Sequence, residues 1–114
     1  MTARDDGLAE RRCAPCRRGT PPLSVESAMV LLEKLGGWKL TPAARSLFKE
    51  YRFESYAAAL EFVNSVAALA EAENHHPDLL LSWRKVRVEL TTHAAGGVTD
   101  NDFILAAKID RVVR

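Results

Sequence analysis

Apolar positions along the chain change their period several times, and each change marks an element. Val86, Val88 and Leu90 alternate with Arg87, Glu89 and Thr91, which is the period of a strand with one buried and one wet face. Asp78 to Trp83 reads as a strand just before it. Trp38–Leu40 and Leu47–Phe53 are short aromatic or apolar stretches separated by Thr41-Pro42, and they predict two antiparallel strands joined by a loop. Helical spacing fills the intervals. Ser24 caps a first helix with Val25, Ala28, Met29, Leu32 and Leu35 on one stripe and Gly36-Gly37 as its stop. Ser55 caps a second, longer helix in which Tyr56, Ala59, Leu60, Val63, Ala67 and Ala70 recur, ending at His75-His76-Pro77 because proline disfavours helix at the residue before it. Gly96-Gly97 makes a turn, and Thr99 with Asp102 reads as a capping box that opens a last helix through Phe103, Ala106, Ala107 and Val113. The order αββαββα has no βαβ repeat, which predicts an α+β fold: a four-stranded antiparallel sheet with three helices on one face.

Residues 1–22 lack either period and mix charge with Gly7, Pro15, Gly19, Pro21 and Pro22, so they read as a flexible leader, dispensable for folding, before a domain at 23–114. A chain of 114 residues suits one domain with a core that needs no metal or disulfide staple. Sixteen basic against fifteen acidic residues leave a formal charge of +1, which argues against charge-driven binding to nucleic acid or to a membrane surface. No apolar stretch approaches the roughly 18 residues that span a bilayer, and the polar N-terminus offers no signal-peptide core, so the expected location is cytoplasmic. The only cysteines, Cys13 and Cys16, form one CxxC flanked by Arg11, Arg12, Arg17 and Arg18; without a second CxxC it is only half of a zinc ribbon, and a passive leader is expected ahead of either metal binding or thiol chemistry.

All three histidines, His75, His76 and His93, fall in one stretch with Glu71, Asn74, Thr91, Thr92 and Asp102. If the second helix persists to its end, Glu71 lies one turn before His75 on the same face and can orient its imidazole, a general acid/base arrangement. Asp102, in the first turn of the last helix, can face the same cleft. Each residue also has a plain structural use: histidine on terminal carbonyls, Glu71 in solvent, Asp102 as the capping partner of Thr99. Adjacent His75 and His76 diverge too far to share an ion, so no metal is expected. No Walker loop, GxGxxG or serine elbow is present, which removes the nucleotide and acyl-transfer classes that need them.

Glu71-x3-His75-His76-Pro77, followed by Trp83, His93, Gly96-Gly97-Val98-Thr99 and Asp102, resembles the signature of pterin-4a-carbinolamine dehydratases. The resemblance extends over about residues 23–112, through Gly37-Trp38, Ala59-Leu60-Glu61-Phe62-Val63 and Phe103 to Asp110, and the Cys13-x2-Cys16 leader is similar to that of bacterial members. It implies the same sheet-and-helix fold and the dehydration of 4a-hydroxytetrahydrobiopterin, or a related 4a-hydroxytetrahydropterin, to quinonoid dihydropterin and water, without a cofactor. It implies His75 and His93 as acids for the two pterin faces, His76 as a binding and catalytic residue, and Glu71 and Asp102 as their supports. Trp38, Asn74, Pro77, Thr91 and Thr92 then fall among the substrate-binding positions. Asn74, Ala95 and Asn101 depart from the aspartate, cysteine and arginine of animal members, which implies different contacts to the pterin C6 substituent. The implied partners are the pterin, further copies of the chain in a dimer or tetramer, and a pterin-dependent hydroxylase. The alternative is a non-catalytic pterin-binding or protein-interaction module on the same fold.

Overall fold

The computed structural model describes residues 7–15 and 17–113. Its elements run α1 (Val25–Leu32), β1 (Lys39–Leu40), β2 (Leu47–Arg52), α2 (Tyr56–Glu73), β3 (Asp78–Ser82), β4 (Lys85–Leu90) and α3 (Asp100–Val112), the order expected from the sequence. The four strands form one antiparallel sheet in the order β1-β2-β4-β3. Register places Leu47 opposite Leu90, Tyr51 opposite Val86 and Leu79 opposite Val88. One face therefore collects the apolar side chains, and Leu47, Val86, Val88 and Leu90 are wholly buried beneath the helices. Phe48, Glu50, Arg87 and Glu89 take the other face, where the Arg87 guanidinium lies 4.0 Å from the centre of the Phe48 ring.

Ser24 and Ser55 cap α1 and α2, accepting the N–H groups of Ser27 and Ala58 at 3.0 Å each. The buried stripes are turned from those expected. On α2 it is Ala59, Phe62, Val66 and Ala70 that are buried, while Tyr56, Leu60 and Ala67 face outward. Phe62 decides the rotation, because its ring packs against Tyr51 and Phe53 with centroids 4.7 and 5.1 Å away, a larger apolar contact than Leu60 could make in its place. On α1, Val25 and Met29 are exposed and Ala28 is buried. That helix ends at Leu32, before Gly36-Gly37, as Lys34 and Leu35 donate to carbonyls only three residues back. Trp83 stands outside β3, exposed in the turn between β3 and β4.

Part of the stretch expected as a leader, 1–22, packs on the body of the domain among the residues described. Leu8 and Ala9, in a 3-10 turn at Leu8–Glu10, are buried against α3. Lys108 donates to the Ala9 carbonyl at 2.8 Å, and Arg111 pairs with Glu10 at 2.6 Å. The physical reason lies in α3 itself, whose residues from Asn101 to Ala107 are all buried. Five consecutive apolar residues, Phe103–Ala107, face all sides of the helix in turn and need cover opposite the sheet, and the leader supplies part of it.

Candidate active site

The C-terminus of α2, the turn after β4 and the N-terminus of α3 meet in one cleft of about 330 Å³, within the roughly 300–1,000 Å³ of small-molecule sites. His75, His76, His93, Asn74, Thr91 and Thr92 line it, together with Ala14, Pro15, Ala94 and Asn101. The sequence-predicted histidines thus converge.

Their pairing differs from the expected one. Helix α2 stops at Glu73, and Asn74 adopts the left-handed conformation (φ 53°, ψ 40°), which asparagine tolerates better than most residues. This break turns His75 out of the helical path and away from Glu71. Its Nε2 instead donates to Asp102 Oδ1 at 2.6 Å, while Glu71 Oε2 accepts from His76 Nε2, also at 2.6 Å. Two imidazole–carboxylate pairs result, one buried and one exposed. Asp102 is fully buried, and its other oxygen accepts the Thr92 hydroxyl at 2.8 Å and the Thr99 backbone N–H at 2.9 Å. The capping box is therefore real, but the same carboxylate serves both the helix end and His75. With Nε2 committed to Asp102, Nδ1 is the His75 atom left to exchange a proton. The outer pair, His76 with Glu71, is open to solvent and correspondingly screened.

His93 is exposed in the turn that follows Thr92, which Thr92 and Gly97 close by backbone pairing. Thr91 ties this rim to the β1–β2 connection by donating to the Arg45 carbonyl at 2.6 Å. Pro77 is not among the lining residues; it ends the α2–β3 link. Trp38 is not at the cleft either. It is buried, with its indole N–H donating to Asp110 Oδ2 at 3.0 Å and its ring edge-on to Tyr51. Lys49 and Tyr51 both donate to the other Asp110 oxygen, at 2.8 and 2.6 Å, and burial beside that carboxylate pushes the Tyr51 phenol well up. An indole satisfied in this way belongs to the packing of α3 on β1 and β2.

Ala14, Pro15 and Ala94 are lining residues that the sequence did not mark, whereas Asn101 was marked only through the resemblance, as a departure bearing on contacts to the pterin C6 substituent. The pairing of Cys13 with Cys16 lies outside the described residues, since Cys16 is not among them. Cys13 itself is half-buried, and desolvation followed by the charges of Glu73 and Asp102 pushes its thiol up to about 12.

Comparison with known proteins gives a family match described as pterin 4 alpha carbinolamine dehydratase over residues 21–112. A protein of Methylococcus capsulatus, provisionally named a pterin-4-alpha-carbinolamine dehydratase, is 45% identical over 105 residues, covering 92% of this chain and 92% of that one. A protein of Rubrobacter xylanophilus with the same provisional name is 42% identical over 105 residues, covering 92% of this chain and 97% of the other. Among solved structures, a transcriptional coactivator/pterin dehydratase from Brucella melitensis aligns with a TM-score of 0.77 at 27% identity, over 82% of this chain and 99% of that one. A pterin dehydratase-like protein identified as a RuBisCO assembly factor in the alpha-carboxysome aligns with a TM-score of 0.58 at 27% identity, over 67% of this chain and 88% of its own.

Proposed function

The chain belongs to the pterin 4 alpha carbinolamine dehydratase family, and on that premise we propose that it converts a 4a-hydroxytetrahydropterin to quinonoid dihydropterin and water by histidine general acid/base catalysis. The observation that supports this most directly is the convergence of three imidazoles on one cleft, with the innermost held by a buried carboxylate. The reaction breaks the C4a–O bond, delivers a proton to the departing hydroxyl and removes the N5 proton, so that a C4a=N5 double bond replaces the lost σ bond. Both proton transfers suit imidazoles, which can donate from one ring nitrogen and accept at the other. In this reading His75 and His93 act as acids for the two faces of the pterin, and His76, steadied by Glu71, holds the substrate and supports catalysis. Asp102 fixes the tautomer of His75. Asn74, Thr91 and Thr92 offer amide and hydroxyl groups to the edge of a heteroaromatic ring. The step is redox-neutral, and the two proton transfers it requires are within the reach of imidazole groups. The expected setting is a cytoplasmic homo-oligomer serving a pterin-dependent hydroxylase.

A second reading, a non-catalytic assembly or interaction module, is favoured by the name of one structural neighbour, the RuBisCO assembly factor. The two separate in one experiment. Enzymatically generated 4a-carbinolamine is followed by its absorbance with and without the protein: faster decay is expected, and decay at the uncatalysed rate would leave the binding module as the better reading.

A further inference from the structure

The leader reaches the cleft by a route that has nothing to do with the histidines. After the buried turn at Leu8–Glu10 the chain runs along α3, and Ala14 and Pro15 arrive as part of the cleft lining. Asn101 holds them there. Its Oδ1 accepts the Ala14 N–H at 2.8 Å and its Nδ2 donates to the Ala14 carbonyl at 2.6 Å, so one buried side-chain amide grips both backbone groups of a single residue. A second grip lies one residue earlier, where Glu73 Oε1 accepts the Cys13 N–H at 2.9 Å and Glu73 Oε2 pairs with Lys108 at 3.4 Å.

These two clamps are sequence neighbours of the inner imidazole–carboxylate pair. Glu73 is the last residue of α2, two before His75, and Asn101 precedes Asp102. The segment 13–15 is thereby fixed to the same two helix ends that position the His75–Asp102 pair. Ala14 and Pro15 bring a methyl group and a pyrrolidine ring to a cleft otherwise lined mainly by imidazole, amide and hydroxyl groups. Such a surface can meet the flat face or apolar substituent of a bicyclic ligand, and cannot compete for its protons.

We propose that residues 13–15 form a substrate-contacting wall of the active site, with Pro15 as a determinant of which pterin is bound and Asn101 as the positioning residue that holds the wall in place. This rests on the dehydratase reading above. A wall that contacts the ligand equally before and during reaction governs binding, whereas the histidines govern chemistry.

The test uses the full chain with Pro15→Glu and Asn101→Asp. The aspartate keeps an acceptor for the Ala14 N–H and loses the donor to its carbonyl. Each change is expected to raise KM for the 4a-carbinolamine roughly 10-fold while kcat stays within about twofold, the signature of lost uniform binding. A second measurement reads the wall directly. In a Cys16→Ser background, iodoacetamide should modify Cys13 slowly, faster in the Asn101→Asp variant, and more slowly again when 7,8-dihydrobiopterin saturates the unaltered Asn101 chain. An active wild type whose two variants keep their KM, and whose Cys13 gains no protection from the pterin, would overturn the wall and leave the dehydratase reading intact. A wild type that neither accelerates carbinolamine decay nor binds 7,8-dihydrobiopterin would overturn the reading on which the wall rests.

Discussion

His75 Nε2 lies 2.6 Å from Asp102 Oδ1, and that carboxylate, wholly buried, also holds Thr92 and the start of α3. A single side chain thus joins the turn after the last strand, the last helix and an imidazole of the cleft. In Asp102→Asn, one of the two oxygens becomes an NH₂ group, which must face either His75 or the pair of donors from Thr92 and Thr99. Turned toward Thr99, the NH₂ meets a backbone N–H, donor against donor; turned toward His75, it is accommodated only if the ring moves its proton to Nδ1 and accepts at Nε2. The expected cost is about 1–3 kcal/mol of stability and a fall in kcat of roughly 100-fold or more, since His75 loses the partner that fixes its tautomer. Thermal melts and carbinolamine kinetics check this, and a near-wild-type kcat would detach Asp102 from the chemistry.

The histidines are expected to differ in their consequences. His76→Ala, and the double change His75→Ala/His93→Ala, should each nearly abolish dehydration. His75→Ala or His93→Ala alone should leave partial activity on a racemic 4a-hydroxypterin, because each acid serves one face. On the face that loses its acid, the rate should fall by roughly 100- to 10,000-fold. A double variant with wild-type rates and a preserved circular dichroism spectrum would sink the assignment.

What the sequence disclosed, and what it hid, follows from the range of the forces involved. The alternation in Val86, Val88 and Leu90 survives intact in β4, since a period of two is set within the strand itself. Both serine caps and the Thr99–Asp102 box are likewise local. The partner of His75 was not, because Glu71 is the nearer carboxylate only while α2 continues, and the left-handed turn at Asn74 hands His75 to a residue in another helix. The α2 stripe turned for a similar reason, with Phe62 claimed by two aromatic rings on and after β2. The contacts of Trp38 and of the leader were not legible either, because their partners, Asp110 and α3, lie far along the chain. No periodicity records such contacts.

The leader's first anchor can be tested apart from the cleft. Leu8 is 2% exposed and packs in the main core beside α3. Leu8→Ala should cost about 2–3 kcal/mol through lost burial and the cavity left behind, lowering the melting temperature by roughly 8–15 °C for a domain of this size. Deleting the first ten residues should do at least as much. An unchanged melting temperature in both would show that the turn at Leu8–Glu10 contributes nothing to the fold in solution.

Glu73 gives the second anchor a dependence on pH. Burial alone would raise its carboxyl, but the Cys13 N–H and the Lys108 ammonium outweigh that effect and hold it below its ordinary value of 4.5. A carboxyl whose folded value is depressed binds its proton more readily in the unfolded chain, so its stabilisation is complete above the ordinary value and is lost as pH falls through the folded one. Glu73→Gln retains an oxygen for the Cys13 N–H and loses the ion pair. The variant should therefore melt below the wild type at neutral pH, and the gap should close as the pH is lowered from about 5 toward 3. The same substitution should speed alkylation of Cys13 at neutral pH, because residues 13–15 are then held less firmly at their α2 contact. A gap in melting temperature that stays constant from neutral to acid pH would mean that the charge on Glu73 does not stabilise the segment 13–15, and that its grip on Cys13 is that of a neutral hydrogen bond.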